Sequence, residues 1–231
     1  MELIAHGRTA DVFDLGAERV LRRYRDEQSV QAEVRIMRHL EEHGYPVPHV
    51  FEAGGTDIVM ERVRGVTLLE QLVTEPEQLD RYGRLLGELQ ERLHRMPAPA
   101  WLAGPGVPGD AVIVHRDLHP NNVLLTERGP LVIDWSDASA GRAAVDAAMT
   151  VIVILGAELD AGDPIARQVG PMRSLLIDSF LQTCGVDPRE GLVEAIEFRR
   201  RHSINTDAEE RWLRTKAPGC LDPFHLEHRG A

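Results

Sequence analysis

The sequence predicts an α+β protein with a small β-rich N-terminal lobe, residues 1–63, and a larger, mostly helical C-terminal lobe, residues 64–231. Three observations predict it. Short strand-like runs bounded by glycine turns fill the early chain, with one helical stretch among them. From about residue 66 apolar residues recur at helical spacing instead. Between the helical stretches, "VIVHRDLHPNNVLL" at 112–125 crowds His115, Arg116, Asp117, His119, Asn121 and Asn122 between two apolar runs. Polar side chains in that position are costly unless they are paired or used.

Each element follows in order. "DVFDLG" and "ERVLRRYR" flank Gly16 and suit a hairpin within residues 3–25. Residues 28–43 read as a helix with Val30, Val34, Met37 and Leu40 as its apolar stripe and Gly44 as its stop. "HVFEAGGTDIVME" is a second hairpin turning at Gly54-Gly55. Leu79, Tyr82, Leu86, Leu89 and Leu93 define a long helix. A Pro/Gly loop at 97–110 leads into a short strand at 111–114. "NVLL" and "LVI" form a small hairpin around "TERGP", and 145–216 is largely helical, with breaks near Gly162-Asp163-Pro164 and Asp187-Pro188.

Bulk properties exclude several classes. A chain of 231 residues buries a real core, and 43% hydrophobic with 27% charged residues is ordinary for a globular protein. The longest apolar run, "AAMTVIVILGA" at 147–157, is too short to span a membrane and reads as a buried helix. The N-terminus carries no secretory pattern, so a cytoplasmic location is expected. Cys184 and Cys220 have no metal or redox spacing and are expected as free thiols. The net charge of −11 argues against a nucleic-acid surface. It suits either a solvated acidic surface or a cationic substrate. Lys216 is the only lysine; every other basic side chain is arginine apart from the histidines.

The polar cluster carries the chemistry. Asp117 and Asn122 lie five residues apart on a loop between short strands, and Asp134 ends "LVID" after the next hairpin, 17 residues beyond Asp117. These are the parts of a phosphoryl-transfer site: Asp117 as the proton acceptor, Asn122 and Asp134 as hard oxygen ligands for Mg²⁺ against ATP phosphates. "HRDLHPNN" matches every fixed position of the protein-kinase catalytic loop H-R-D-L-x-x-x-N.

"VHRDLHPNNVLL" followed by "LVIDWSDASAGRAAVDAA" resembles the aminoglycoside phosphotransferase family, small-molecule kinases of the protein-kinase-like two-lobe fold. His119-Pro120 and the "IDWSDA" form are typical of that family, and "IVMERVRGVTL" and "ERLHRMP" resemble its inter-lobe segment and the helix end before its catalytic loop. The resemblance implies MgATP held between the lobes and a hydroxylated small molecule as acceptor; with the charge and the short apolar runs, no nucleic-acid or membrane partner is expected, and the expected state is a monomer or weak homodimer.

The N-terminal lobe gives a cross-check. A kinase glycine loop reads G-x-G-x-x-G-x-V. "AHGRTADV" at 5–12 keeps Gly7 and Val12 but has Ala5 and Ala10 for the other glycines. "RVLR" aligns with the V-A-I-K segment, and strand alternation places Val20 and Arg22 on one face. Val20 would cover adenine and Arg22 would reach the phosphates in place of the usual lysine. Glu33 borders the apolar stripe of its helix and needs a partner; Arg22 is the expected one and Arg23 the competitor. Glu61 and Val63 belong to a hinge-like segment, 61–63, whose backbone would bind adenine.

Other residues carry weaker expectations. His115 and Arg116 would brace the catalytic loop. His119 would touch substrate or hold the loop. Asp137 and Asp146 would support the magnesium loop from behind. Glu158, Asp160 and "DAEE" at 207–210 would meet a cationic substrate or solvent. The reading is therefore an ATP-dependent O-phosphotransferase, with Asp117 as base. A protein kinase is disfavoured by the short segment of 13 residues from Asp134 to Asp146, which leaves little platform for a peptide. An inactive nucleotide-binding scaffold is favoured by the two alanines and Arg22 but opposed by the intact Asp117, Asn122 and Asp134.

Overall fold

The structure, a computed structural model, describes residues 1–7, 9–26, 29–103, 109–157, 164–201 and 205–224, with backbone alone over 164–171. The chain opens with β1 (Glu2–His6), β2 (Ala10–Gly16), β3 (Arg19–Tyr24), α1 (Gln31–Glu42), β4 (Val50–Gly54), β5 (Asp57–Glu61) and β6 (Val66–Thr67). The middle holds α2 (Leu68–Thr74), α3 (Leu79–His94), β7 (Val112–Val114), β8 (Val123–Thr126), β9 (Gly129–Val132) and β10 (Ser139–Gly141). The rest is helical: α4 (Ala143–Gly156), α5 (Pro164–Leu181), α6 (Leu192–Arg200) and α7 (Asp207–Thr215). Two compact units form, Met1–Thr67 with Asn122–Ala138, and Leu68–Asn121 with Ser139–Ala231.

The first unit is built on an antiparallel five-stranded sheet, order β1-β2-β3-β5-β4. The β2–β3 hairpin expected around Gly16 turns at Ala17–Glu18, and both residues take positive φ, 50° and 59°. Two left-handed residues match the twist of a tight hairpin. The Glu18 carbonyl accepts from the Arg62 amide at 2.9 Å, which anchors the turn. In α1, Val30 at the N-cap and Val34, Met37 and Leu40 behind it are at most 2% exposed, as the apolar stripe predicts. Gly44, at φ +75°, ends the helix, and the Tyr45 amide returns to the Leu40 carbonyl at 2.8 Å. The second sheet, β6-β8-β9, completes this unit. Trp135 is buried behind it, its indole N–H donating to the Val132 carbonyl at 3.0 Å.

The second unit packs α3 tightly on α5. A Cβ on Gly83 would stand 2.6 Å from the Ser179 Cβ, and one on Gly87 would stand 2.6 Å from the Phe180 carbonyl. The apolar stripe of α3 is buried, with Leu86 and Leu93 fully so. The run expected as a buried helix is α4, where Ala147, Ala148, Met149, Val151 and Ile152 are buried. Asp187 caps the turn that follows α5, accepting from the Arg189 amide at 2.9 Å. The predicted break at Gly162-Asp163 lies outside the described residues. Cys184 and Cys220 are free thiols. Among the described residues no helix is long and apolar enough to cross a membrane.

Candidate active site

In the first unit, β3 carries Arg22 toward α1. Arg22 is paired in register with Val12 on β2 and with Ile58 on β5. Its Nη1 donates to Glu33 Oε1 at 2.9 Å, and its Nη2 donates to Asp134 Oδ1 at 2.6 Å. The expected Arg22–Glu33 pair is therefore present, and one guanidinium bridges two carboxylates. The competitor is engaged elsewhere: Arg23 Nε and Nη2 donate to Asp57 at 2.8 and 2.6 Å. Sequence reasoning missed Tyr24, whose hydroxyl donates to Glu33 Oε2 at 2.6 Å. Its place two residues after Arg22 on one strand face is the signal that would have found it. The Arg22 guanidinium carbon also lies 4.8 Å from the Tyr24 ring centroid.

Burial sets the electrostatics of this cluster. Glu33 is 6% exposed. Burial pushes its carboxyl above the ordinary value, and Arg22, the Tyr24 hydroxyl and the Trp135 amide pull it back. Burial opposes the charge on Arg22, but Asp134 and Glu33 outweigh it and hold the guanidinium firmly protonated. Burial and the Glu33 charge raise the Tyr24 phenol, so it stays a donor.

Asp134 follows β9 with φ at +63°, a left-handed conformation that a non-glycine residue takes at some cost. Ser136 Oγ donates to its Oδ1 at 3.1 Å. Asn122 precedes β8, is 7% exposed, and its carbonyl accepts from the Ile133 amide at 2.9 Å. The two expected metal residues thus flank one hairpin. A carboxylate and an amide oxygen are hard donors of the kind Mg²⁺ takes. Among the described residues no three His, Cys, Asp or Glu side chains gather into a metal cage.

The other predicted nucleotide residues lie in the same unit. The Gly7 amide donates to the Ala10 carbonyl at 2.9 Å across the β1–β2 turn, of which Arg8 lies outside the described residues. Val20 is 7% exposed on β3. In the hinge-like segment, the Glu61 amide donates to the His49 carbonyl at 2.8 Å and the Arg62 amide to Glu18. The Glu61 carboxylate pairs with Arg128. Val63 follows β5 and is half-buried.

In the second unit, Asp146 braces the catalytic loop. Its Oδ1 accepts from the Arg116 amide at 2.6 Å, and its Oδ2 accepts from the His115 amide at 3.2 Å and from Gln90 Nε2 at 3.1 Å. His94 Nε2 lies 2.8 Å from the same Oδ2. This corrects the expectation that Asp146 stands behind the magnesium loop: its lone pairs go to the backbone of 115–116. The expected bracing by His115 is present, its Nδ1 accepting from the Asp117 amide at 3.3 Å. Arg116 has φ at +66°, and its guanidinium lies 4.3 Å from the Phe198 ring centroid. Burial opposes ionisation of Asp146, but His94 and the Arg116 amide outweigh it, so its carboxyl stays below the ordinary value.

Asp117 is half-buried beside His119, whose Nε2 lies 3.5 Å from Oδ2. Arg199 of α6, missed by sequence reasoning, lies with Nη1 3.7 Å from Asp117 Oδ1 and Nη2 3.6 Å from Glu209. Nothing in its local sequence marks it out; α6 delivers it through the tertiary fold. Burial works against ionisation of Asp117, but His119, His115 and Arg199 lower its carboxyl below the ordinary value. It is therefore a carboxylate at neutral pH. The acidic stretch 207–210 is largely spent on its own helix and on the arginines of α6. Glu209 closes a capping box with Thr206, and Glu210 accepts from Arg200 and Arg214 at 2.9 and 3.0 Å. Glu158 and Asp160 lie outside the described residues.

The unit boundary falls between Asn121 and Asn122. Arg22, Glu33, Asn122 and Asp134 thus belong to one unit and Asp117 to the other.

The chain matches the phosphotransferase enzyme family (APH) over residues 1–107 and 99–171. It belongs to that family. Among solved structures it is similar to choline kinase from Cryptosporidium parvum Iowa II, 15% identical, covering 96% of this chain and 87% of that one, with a TM-score of 0.60. It is also similar to the ADP-bound aminoglycoside phosphotransferase APH(2'')-Ib, 13% identical, with coverage of 95% and 93% and a TM-score of 0.57. These similarities establish a protein-kinase-like α+β fold, as the sequence predicted. A curated relative, a probable bifunctional tRNA threonylcarbamoyladenosine biosynthesis protein of Methanoculleus marisnigri, is 32% identical over 112 residues. That stretch is 48% of this phosphotransferase-family chain but only 17% of the relative's length.

Proposed function

We propose that this family member transfers the γ-phosphate of MgATP to a hydroxyl of a small molecule, with Asp117 as the base. The observation that carries the proposal is the Arg22 bridge. One half-buried arginine joins the α1 glutamate to the aspartate that ends the hairpin after the catalytic loop. That is the connection a phosphate-binding cation needs, with its orientation fixed by Glu33 and its second N–H pair aimed where Asp134 would meet the nucleotide.

The remaining roles follow from chemistry. Arg22 would neutralise phosphate charge from a fixed position. Val20 and Val12 would offer apolar cover to adenine, and Val63 a backbone group. The Glu61 and Arg62 amides are already bonded within the protein. Asp134 and Asn122 would hold Mg²⁺, which supplies charge neutralisation at the phosphates. Asp117, kept ionised by His119, His115 and Arg199, would accept the proton of the attacking hydroxyl as the oxygen–phosphorus bond forms and the β–γ bridge bond breaks. Positioning and electrostatics then account for most of the rate. The acceptor is drawn from the classes that relatives' names print, choline-like and aminoglycoside-like alcohols, or another hydroxylated metabolite.

Calorimetric titration with ATP tests the nucleotide half of the proposal. Wild type should bind more tightly with Mg²⁺ than without. Asp134→Ala should lose that gain and bind metal-free ATP no worse than wild type, because it removes a negative charge beside Arg22. Equal binding by the two proteins under both conditions would contradict the metal assignment. The inactive-scaffold reading keeps one supporting observation, the alanines at positions 5 and 10. It predicts nucleotide binding with no acceptor turned over.

A further inference from the structure

Arginine at position 22 poses a geometric problem that lysine would not. An ammonium is a compact charge whose three donors rotate freely, so a single carboxylate suffices to place it. A guanidinium is a rigid plane, and which oxygen takes which N–H decides where the remaining donors point. If both oxygens of Glu33 were open to it, a bidentate Arg–carboxylate pair would form and consume two parallel N–H bonds. The structure has a different arrangement. Nη1 alone goes to Glu33 Oε1, while Nη2 turns to Asp134 Oδ1. The other Glu33 oxygen, Oε2, is taken at 2.6 Å by the Tyr24 hydroxyl. Tyr24 is 7% exposed, and its ring lies against the guanidinium at 4.8 Å.

We propose that Tyr24 is a positioning residue for the nucleotide. Its hydroxyl occupies Glu33 Oε2 and so prevents a bidentate Arg22–Glu33 pair. Its ring backs the guanidinium, so that Nη2 is kept on the Asp134 side, where phosphate oxygens would meet it. The role exists because arginine replaces lysine at position 22. The inference rests on the phosphotransferase reading above, in which Arg22 binds phosphate.

The consequence is a coupling between positions 22 and 24 that burial and packing alone would not produce. Without the hydroxyl, Glu33 rotates onto both guanidinium nitrogens and draws Nη2 away from the phosphates. With lysine at position 22, the hydroxyl has no fork to divide, and its loss has little effect on phosphate binding.

A double-mutant cycle read by calorimetry of MgATP binding tests this, using wild type, Tyr24→Phe, Arg22→Lys and the double variant. Tyr24→Phe keeps the ring and should weaken MgATP binding by about tenfold in the arginine background, the size expected when a charged hydrogen bond is rearranged. In the lysine background the same change should alter affinity by less than about twofold. Tyr24→Met, which removes ring and hydroxyl together, should weaken binding at least as much as Tyr24→Phe. It supplies the reading if Tyr24→Phe does not fold. A purely structural role would lower the melting temperature and shift both backgrounds alike. Equal effects in the two backgrounds, or unchanged affinity in Tyr24→Phe, would overturn the proposal while leaving the phosphotransferase reading intact. A wild type that binds no MgATP would overturn that reading, and this inference with it.

Discussion

Arg22 carries the greatest burden of any single residue in the first unit. Its guanidinium supplies positive charge to Glu33, which is 6% exposed and whose other oxygen takes the Tyr24 hydroxyl. Arg22→Ala should therefore act twice. Removing the charge partner of a buried carboxylate that keeps only neutral donors is destabilising, by up to about 3–5 kcal/mol, so the melting temperature should fall. MgATP affinity should fall with it, because the cation proposed to bind phosphate is gone. Arg23→Ala should do neither, since its pair with Asp57 is exposed, and exposed pairs are worth about 0–1 kcal/mol. Thermal melts and nucleotide titrations on the two variants check the contrast; a reversed order would mean that the strand register is misassigned. At this scale the sequence was informative where spacing carries chemistry. Asp117, Asn122 and Asp134 stand out by interval alone, and Glu33 by its place beside an apolar stripe. Arg199 and His94 do not stand out, because only folding brings α6 and the end of α3 to the catalytic loop.

Among the elements, α3 and α4 together hold the catalytic loop. Gln90 and His94 from α3 meet Asp146 from α4, and Asp146 in turn ties down the amides of His115 and Arg116. The folded-state carboxyl of Asp146 lies below its ordinary value, which is about 3.9. A depressed carboxyl contributes stability that is full above that value and is lost as pH falls toward the folded-state one. Asp146→Asn should therefore lower the melting temperature markedly at neutral pH, and its gap from wild type should close below about pH 4. Melting curves across that range measure it; a gap that widens in acid would reverse the sign of the argument. The contact of α3 with α5 yields a second stability test. Gly83→Ala gains about 1 kcal/mol in helix propensity. Its new Cβ, however, would press on backbone and Cβ atoms of α5 at 2.6–2.7 Å, and overpacking of that kind costs about 1–3 kcal/mol. Net destabilisation is expected in urea unfolding, and a gain would mean the helices separate easily. The pattern of α3 revealed which of its residues are buried, but not that its glycines admit a neighbouring helix.

For the molecule as a whole, the change from strand-rich to helix-rich character was legible because side-chain period changes from two to 3.6 along the chain, but not that 122–138, placed by the sequence reading in the lobe 64–231, belong with the first unit. The β2–β3 hairpin was legible from Gly16, but not that Ala17 and Glu18 make its turn, since positive φ at non-glycine residues leaves little compositional trace. The strand β10, with three residues too short to show alternation, also escaped that reading. The negative charge, −11 over the chain, finds much of its use inside the fold: Glu209 in a helix cap, Glu210 in ion pairs, Asp146 under the loop. The central claim joins the family to a specific chemistry at Asp117, and it is tested most directly by acceptor-dependent ADP release. Wild type and Asp117→Asn should be assayed against a panel of hydroxylated antibiotics, amino alcohols and sugars, with ATP affinity measured alongside. At least one acceptor should be turned over by wild type. Asp117→Asn should lose roughly 10²–10⁴-fold in rate on it, the usual cost of a missing general base, with ATP binding close to wild type. Undiminished turnover by Asp117→Asn would contradict the account.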